Sequence, residues 1–309
     1  MNEEYLWDRS GEPDPETARL EQLLGPLKYA GGPMRKPRPA KPVVLWWLAA
    51  AAVLVAGLVT VPLLLRGPVT KWQLADGSRV RAGQIIETGA SHPAKIQSDE
   101  TGEVTIDPGS RFRLVAATEH EERFNLQHGA IHAYIWAPPG RFVVDTPSSK
   151  TIDLGCSYTL EVSNNGTGLL TVELGWVAFE RNRVESFIPA GAACVTRPDR
   201  GPGTPYFTDA PEALTSALAR FDTSGAPSAL ETAIATARRR DALSLWHLMI
   251  RTDGSERARV FDRLASLVTL PREVTREAVL RGDGKAIDGA WNALDLGNTD
   301  WWRGWKKQW

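Results

Sequence analysis

The residues of this chain that could do chemistry are few and scattered. His128 and His132 are four positions apart and would share one face of a strand, but two histidines do not make a zinc site without further ligands. Residues 119–122 (EHEE) suit a solvated loop better than a metal site. Residues 201–203 (GPG) lack the lysine that follows in a phosphate-binding loop. We therefore predict no catalytic residue, no metal site, no cofactor and no enzymatic activity.

The overall charge argues against nucleic acid as a partner. The 309 residues include 36 lysines and arginines against 37 aspartates and glutamates, which gives a formal net charge of −1. A protein that binds the phosphate backbone through bulk electrostatics carries a clear positive excess. We predict no direct binding to nucleic acid, so the elements that the chain forms must carry the function in another way.

Residues 43–65 (VVLWWLAAAAVLVAGLVTVPLLL) form an uncharged apolar run that predicts one transmembrane helix. A helix of this length spans roughly 34 Å, enough to cross a hydrocarbon core. A cleaved signal peptide would begin nearer the N-terminus, and wholly apolar core helices of this length are rare in soluble domains. Trp46 and Trp47 lie at its start, where indole rings favour the headgroup region. The run therefore separates residues 1–42 from the larger part of the chain.

The charges on either side orient this predicted span. Cations are more numerous before the span than after it. They are Lys28, Arg35, Lys36, Arg38 and Lys41 on one side and Arg66, Lys71 and Arg79 on the other. Because positively charged flanks stay in the cytoplasm, we expect residues 1–42 inside the cell and the rest of the chain in the periplasm or outside.

Residues 1–42 are too few to bury a core but contain one predicted helix. Asp14 is a suitable N-cap, Pro15 takes the first helical position, and Gly25 with Pro26 ends the helix. Its apolar face and an upstream aromatic residue are candidates for docking into a partner's groove. These candidate residues are Trp7, Leu20, Leu23 and Leu24. The alternative, in which the segment lies on the inner leaflet or stays disordered, is left open.

Residues 72–197 predict a β-rich domain built from repeated units. Short alternating segments such as residues 111–116 (RFRLVA) and 158–162 (YTLEV) are typical of half-buried strands. Between such segments, glycine recurs at intervals of 20, 20, 26, 20 and 16 residues. These turn glycines are Gly89, Gly109, Gly129, Gly155, Gly175 and Gly191. The regular spacing favours a solenoid-like or stacked-hairpin β domain over a β-sandwich whose turns happen to be evenly spaced.

After a predicted linker at residues 198–209, the apolar period changes from two to nearly four, which predicts a helical domain over residues 210–296. One helix is expected to begin at Pro211 and another to be capped by Ser255, with others between and after them. Short helices with brief polar loops favour an α-hairpin array or a small bundle. The tail at residues 297–309 is rich in tryptophan and cations, which suits a membrane interface, an anionic polymer, or packing against the helices.

Three segments of the β-rich region, in this order, resemble the FecR family: residues 142–162 (FVVDTPSSKTIDLGCSYTLEV), 169–180 (LLTVELGWVAFE) and 184–195 (VESFIPAGAACV). The resemblance covers roughly residues 85–197. It implies a single-span protein of the bacterial inner membrane whose cytoplasmic end binds an extracytoplasmic-function sigma factor. Its periplasmic part would receive a signal from an outer-membrane receptor. Cys156 departs from the family pattern, which has threonine at that position.

The resemblance and the predicted topology together indicate an anti-sigma-type regulator. Its partners would be a sigma factor on the cytoplasmic side and an envelope protein or polymer on the periplasmic side. The C-terminal receptor-docking domain of the founding type is not recognisable in this chain. The alternative function is a membrane-anchored envelope scaffold that binds polysaccharide or peptidoglycan and transmits no signal.

Cys156 and Cys194 both follow turn glycines in the part of the chain expected outside the cytoplasm, where an oxidising compartment permits a disulfide. If each glycine unit were a full solenoid turn, the two units would lie about 10 Å apart, too far to bridge. If two glycine units made one turn, the cysteines would be neighbours on one side. We predict a disulfide between them that acts as a structural staple.

Overall fold

The structure is a computed structural model that describes residues 14–27, 31, 69–182 and 184–297. It separates into two compact units, Met1–Pro62 and Leu63–Trp309. Within the described ranges, no helix is long and apolar enough to cross a membrane. The predicted transmembrane segment at residues 43–65, the candidate Trp7 and the tail at residues 298–309 lie outside those ranges.

The described part of the first unit is one helix, α1 (Pro15–Leu24), followed by a 3-10 turn, Gly25–Leu27. Proline at the first position loses no hydrogen bond, because the first N–H groups of a helix have no acceptor inside it. Asp14 precedes the helix as expected, but its side chain makes no capping hydrogen bond with the described residues. The predicted helix is confirmed at both ends.

In the second unit, the described chain between residues 69 and 207 forms sixteen β-strands. The first eight are β1 (Val69–Leu74), β2 (Arg79–Arg81), β3 (Ile85–Glu87), β4 (Ala94–Ser98), β5 (Gly102–Ile106), β6 (Arg111–Ala117), β7 (Glu122–Ile135) and β8 (Phe142–Asp145). The other eight are β9 (Lys150–Asp153), β10 (Ser157–Val162), β11 (Gly168–Leu174), β12 (Trp176–Arg181), β13 (Val184–Pro189), β14 (Ala192–Arg197), β15 (Gly201–Pro202) and β16 (Tyr206–Phe207). Seven pairs of successive strands form antiparallel hairpins, and β7 with β8 is the one parallel pair among the described strands.

The strands form two sheets that share β7, which is long enough to belong to both. Its first half pairs with β6 and β8, and its second half pairs with β5 and β10. The first sheet also contains β1, β2, β4, β11, β14, β15 and β16. The second sheet also contains β3, β9, β12 and β13. Stacked hairpins describe this pairing, whereas a solenoid of parallel coils does not.

Each predicted turn glycine lies where the chain passes from one sheet to the other. Gly129 lies inside β7, between its two halves. The other five lie in the connections β3–β4, β5–β6, β9–β10, β11–β12 and β13–β14. All of the six except Gly89 have a positive φ, between +72° and +95°, which residues with a side chain rarely adopt. The repeat in the sequence therefore marks passages between the two sheets. Most units between successive glycines hold one hairpin, whereas the unit from Gly129 to Gly155 holds the second half of β7 and the β8–β9 hairpin.

We call each place where the chain passes from one sheet to the other a corner. Two of the glycine corners leave no room for a side chain. A Cβ on Gly129 would lie 2.1 Å from Ser110 Oγ, and one on Gly175 would lie 2.2 Å from the carbonyl oxygen of Gly155. The corners are also joined through their backbones, since the N–H of Ala190 donates to the carbonyl of Gly175 at 2.9 Å. Glycine thus permits both the turn itself and the close contact between successive corners.

The inner faces of the two sheets meet in one aromatic core. Trp72 of the first sheet packs against Phe124 and Phe142 of the second, with ring centroids 5.4 and 5.8 Å apart. Its indole N–H donates to buried Glu122 at 2.7 Å, and Arg141 donates to the other oxygen of that carboxylate at 3.2 Å. Glu122, expected in a solvated loop, is therefore a buried, paired charge between the sheets.

The stretch at residues 198–209, expected as a linker, instead belongs to the folded unit. Residues 201–205 are buried, and both β15 and β16 pair with β14. The helices that follow are α2 (Glu212–Ser224), α3 (Pro227–Thr236), α4 (Ala242–Arg251), α5 (Gly254–Leu267), α6 (Arg276–Leu280) and α7 (Gly284–Asn292). They lie where helices were predicted, although Asp253 and not Ser255 is the N-cap of α5. The prediction of a β-rich domain followed by a helical region is confirmed.

The corner geometry predicts different costs for two glycine substitutions. Both Gly129→Ala and Gly109→Ala place a side chain at positive φ, but a Cβ on Gly109 meets nothing within 4 Å. We expect Gly129→Ala to lower the free energy of unfolding by at least about 2 kcal/mol more than Gly109→Ala, because Ser110 must also move. Urea unfolding of the full chain in mild detergent, followed by tryptophan fluorescence, measures this. Equal losses in the two variants would contradict the packed corner.

Candidate functional site

The first unit presents an apolar stripe with nothing packed on it in the described part of that unit. Leu20, Leu23 and Leu24 are 57, 66 and 56% exposed, and no residue of α1 is buried. Leu27, in the 3-10 turn, extends the stripe and is 77% exposed. The spacing of Leu20, Leu23 and Leu24, i, i+3 and i+4, places them on one face of α1, and Leu27 lies just beyond the end of the helix. We call Leu20, Leu23, Leu24 and Leu27 the leucine stripe; Leu27 is the member that the sequence analysis missed.

The two cysteines are buried and free, so the predicted disulfide is wrong. Cys194 lies in β14, opposite Leu170 of β11, which in turn lies opposite Leu160 of β10. Cys194 is thus two strands away from Leu160, a distance of about 10 Å. Cys156 lies four residues before Leu160, which displaces it by about another 13 Å along the strand direction. A disulfide needs Cα atoms within about 7 Å. The prediction failed because it assumed that the units of Gly155 and Gly191 are neighbours, whereas β11 lies between them.

Each thiol has a different local partner. The Cys156 thiol donates to the carboxylate of Asp153, and the Cys194 thiol donates to the carbonyl of Gly203 at 3.2 Å. Burial raises the pKa of both thiols, that of Cys194 to about 12, so both stay protonated. A buried neutral thiol is a poor nucleophile and behaves as a small apolar side chain.

Asp153 is a buried carboxyl group at the corner that Gly155 forms. It is 1% exposed and accepts the backbone N–H of Gly155 at 2.7 Å. Burial raises the pKa of Asp153 to about 7, and hydrogen bonds from Cys156 and Gly155 oppose that rise in part. The hydroxyl of Tyr158, also buried, has no hydrogen-bond partner among the described residues. One signal in the sequence could have found this group: a lone carboxylate between apolar residues at the end of a strand.

The helical region is fastened to the β-rich domain by buried polar contacts. Arg251 of α4 donates to Ser186 Oγ at 2.6 Å and to Thr204 Oγ1 at 3.2 Å. Asp222 of α2 accepts the N–H and the hydroxyl of Thr204, both at 2.7 Å, and lies 3.7 Å from the Arg251 guanidinium. We call this contact between β13, residues 201–205, α2 and α4 the seam. None of its residues was singled out from the sequence for this role.

His247 of α4 completes the seam at an open sheet edge. The backbone N–H of Phe187 in β13 donates to His247 Nε2 at 3.1 Å, which makes Nδ1 the protonated nitrogen that donates to the carbonyl of Leu243 at 2.9 Å. Burial lowers the pKa of His247 to about 3, so the ring is neutral at physiological pH. A neutral imidazole therefore satisfies a backbone N–H that an edge strand would otherwise leave unpaired.

His128 and His132 do not meet in one site. His132 lies between Asp107 Oδ2 and Thr159 Oγ1, at 3.1 and 2.9 Å, whereas His128 Nδ1 contacts the carbonyl of Gly109 at 3.1 Å. The two residues lie on opposite sides of the bend in β7 and so belong to different sheets. Across the part of the chain that the structure describes, no group of three or more potential ligand side chains could hold a metal ion.

The comparison with protein families matches the chain to FecR protein over residues 84–177. That stretch runs from just before β3 into β12 and contains five of the six corner glycines, from Gly89 to Gly175. This stretch is therefore similar to the FecR family, and the resemblance drawn from the sequence is confirmed over these residues. No curated protein matches the chain.

Among solved structures, two crystal structures of a candidate anti-sigma factor from Parabacteroides distasonis ATCC 8503, at 1.65 and 2.50 Å resolution, are similar to part of the chain. The TM-score is 0.36 for both, at 13 and 14% sequence identity. Each alignment covers 43% of this chain and 63% of the other, so the similarity spans less than two thirds of those relatives. A similarity of this size does not transfer a function.

The free thiols predict a simple labelling result. The full chain, prepared under oxidising conditions and denatured without reductant, should take up two alkylating groups, because the strand between β10 and β14 keeps the cysteines apart. Mass spectrometry of the labelled protein, compared with a sample reduced before labelling, reads this out. A fraction of unlabelled protein that disappears on reduction would mean that the thiols do pair.

Asp153 predicts a pH dependence of stability whose sign follows from its raised pKa. Between the unfolded value of 3.8 and the folded value of about 7, the folded chain holds a proton that the unfolded chain has lost. Stability must therefore fall as pH rises through this window, by up to about 1.4 kcal/mol per pH unit.

Asp153→Asn removes this proton while it keeps an oxygen for the Gly155 N–H. Urea unfolding of the wild type and the variant at pH 5, 6 and 7 should show the free energy of unfolding falling more steeply with pH in the wild type. All other titrating groups are common to the two proteins, so the difference between the slopes isolates Asp153. Parallel slopes would show that Asp153 is ionised in the folded chain.

Proposed function

We propose that this chain is a single-span regulator of an extracytoplasmic-function sigma factor in a bacterial inner membrane. Three features support the proposal together. Residues 84–177 match the FecR family, residues 43–65 form an uncharged apolar run, and the short segment before that run carries the exposed leucine stripe. In this arrangement residues 1–42 lie in the cytoplasm, and the FecR domain with the helical region lies in the periplasm.

The leucine stripe is the observation that carries the proposal. No side chain of this ten-residue helix is buried, and such a short helix is marginal in water. Four leucines that are each more than half exposed gain free energy when a groove on another protein covers them. Helix-in-groove binding uses anchors at the i, i+3, i+4 spacing of Leu20, Leu23 and Leu24. The proposed occupant of α1 is a sigma factor on the cytoplasmic side.

On the periplasmic side, we propose that an envelope protein or polymer binds the second unit. The seam supports this part of the proposal, because a ligand on either the β-rich domain or the helical region would act on a body joined by buried contacts. Through the proposed span, such binding would alter how α1 engages the sigma factor. No catalytic step is part of this proposal.

The test is a binding measurement with defined partners. The full chain, purified in mild detergent, is titrated with each extracytoplasmic-function sigma factor of the source organism in turn. Leu20→Asp with Leu23→Asp should weaken binding of the cognate sigma factor at least about tenfold, since it puts charges into a desolvated contact. Ala18→Asp with Gln22→Asp places the same charges on the opposite, exposed face of α1 and should change affinity by less than about twofold.

Two results would contradict the regulator. One is that no sigma factor binds the wild-type chain, and the other is that both double variants weaken binding equally.

The envelope scaffold would then be the better proposal, and one surface favours it. Tyr134 and Trp136 form an exposed aromatic pair at the end of β7, each 49% exposed with ring centroids 5.7 Å apart. Such a pair offers an apolar surface with polar edges to a polysaccharide.

A further inference from the structure

A cavity of 460 Å³ lies in the seam between the β-rich domain and the helical region. Its walls are the β14–β15 turn, the start of β13, and the ends of α2 and α4. The charged side chains on this lining are Arg197, Arg200, Arg251, Glu185 and Asp222. The cavity is large enough for a small ligand and takes walls from both regions, so an occupant would contact both.

Two of the arginines are held on one rim by a tight turn. The N–H of Arg200 donates to the carbonyl of Arg197 at 3.2 Å, and Arg197 pairs with Gly201 across the turn. Gly201 has a φ of +80°, and a Cβ there would lie 3.2 Å from the side chain of Arg181. The turn therefore holds the backbones of both arginines in place, so that their side chains begin from the same rim of the cavity.

Neither rim arginine is paired with a buried carboxylate in the described part of the chain. Arg197 is partly buried, yet its guanidinium makes no hydrogen bond or ion pair with any described residue. Arg200 contacts Asp199 at 3.7 Å, but that carboxylate is 73% exposed and screens it only weakly. Asp222 is already engaged by Thr204 and Arg251.

Arg251 contributes positive charge to the wall of the cavity. It uses its terminal nitrogens on Thr204, Ser186 and the carbonyl of Glu185. Its Nε is buried, has no hydrogen-bond partner in the described part of the chain and is closed off from the cavity. An anion in the cavity would therefore meet the charge of this guanidinium and not a free N–H.

We propose that the seam cavity binds an anionic group, a phosphate or a carboxylate, through Arg197 and Arg200, with the positive charge of Arg251 on the same lining. Guanidinium groups suit both anions because their planar N–H donors match the oxygens in pairs. This site is independent of the sigma-factor proposal, because it rests only on the second unit. An occupant would bridge the β14–β15 turn to α2 and α4 and so tighten the seam.

The test uses the full chain in mild detergent with inorganic phosphate, acetate and glucose as separate probes at constant ionic strength. Melting temperature and calorimetric titration are both recorded. Phosphate or acetate should raise the melting temperature in a saturable way, with half-saturation below about 10 mM, and glucose should not. A preference for phosphate over acetate, or the reverse, identifies which anion the site takes.

Matched variants locate the binding. Arg197→Gln with Arg200→Gln should weaken anion binding at least about tenfold while the melting temperature without anion stays close to the wild-type value. Arg113→Gln with Arg272→Gln removes two exposed positive charges that are not on the cavity lining and should bind like the wild type. Lack of saturable binding by both anions, or equal binding by the two double variants, would overturn the proposal.

Discussion

The second unit depends on one constraint: the chain must pass repeatedly between two sheets, and at six of these corners it does so at a glycine. Five of the six glycines take a positive φ, and two of them lie so close to a neighbouring corner that a Cβ would not fit. Gly129 shows the constraint most plainly, because there a single strand bends and serves two sheets. With the corners in place, the inner faces are brought together around Trp72, Phe124 and Phe142.

The seam makes the helical region part of the same body. Corner residue Trp176, directly after Gly175, packs on Trp291 of α7 at 5.9 Å, and Trp246 of α4 lies 4.7 Å from the same indole. His247 accepts a hydrogen bond from the edge strand β13, and Arg251 donates one to Thr204, in the buried stretch that was predicted to be a linker. Apolar, aromatic and charged contacts therefore all cross between the two regions.

Local patterns in the sequence were sufficient for several elements and insufficient for others. Pro15 and the leucine spacing predict α1, and the periodic glycines predict the corners, because each depends on neighbouring residues. The disulfide between Cys156 and Cys194 was wrong because strand order is set by long-range pairing, which placed β11 between them. The burial of Asp153 and Arg251 could not be predicted either, because the residues around a charged side chain do not show which distant elements will pack over it.

The central claim, that the sheets, the corners and the helices form one cooperative body, can be measured by native-state hydrogen exchange of the full chain at increasing urea. The slowest amides of α4, next to His247 and Arg251, should exchange with the same free energy and the same urea dependence as the slowest amides of β7 and β14. Exchange of the α4 amides through a smaller opening, at a free energy well below that of the strands, would show that the helical region unfolds by itself and would contradict the account.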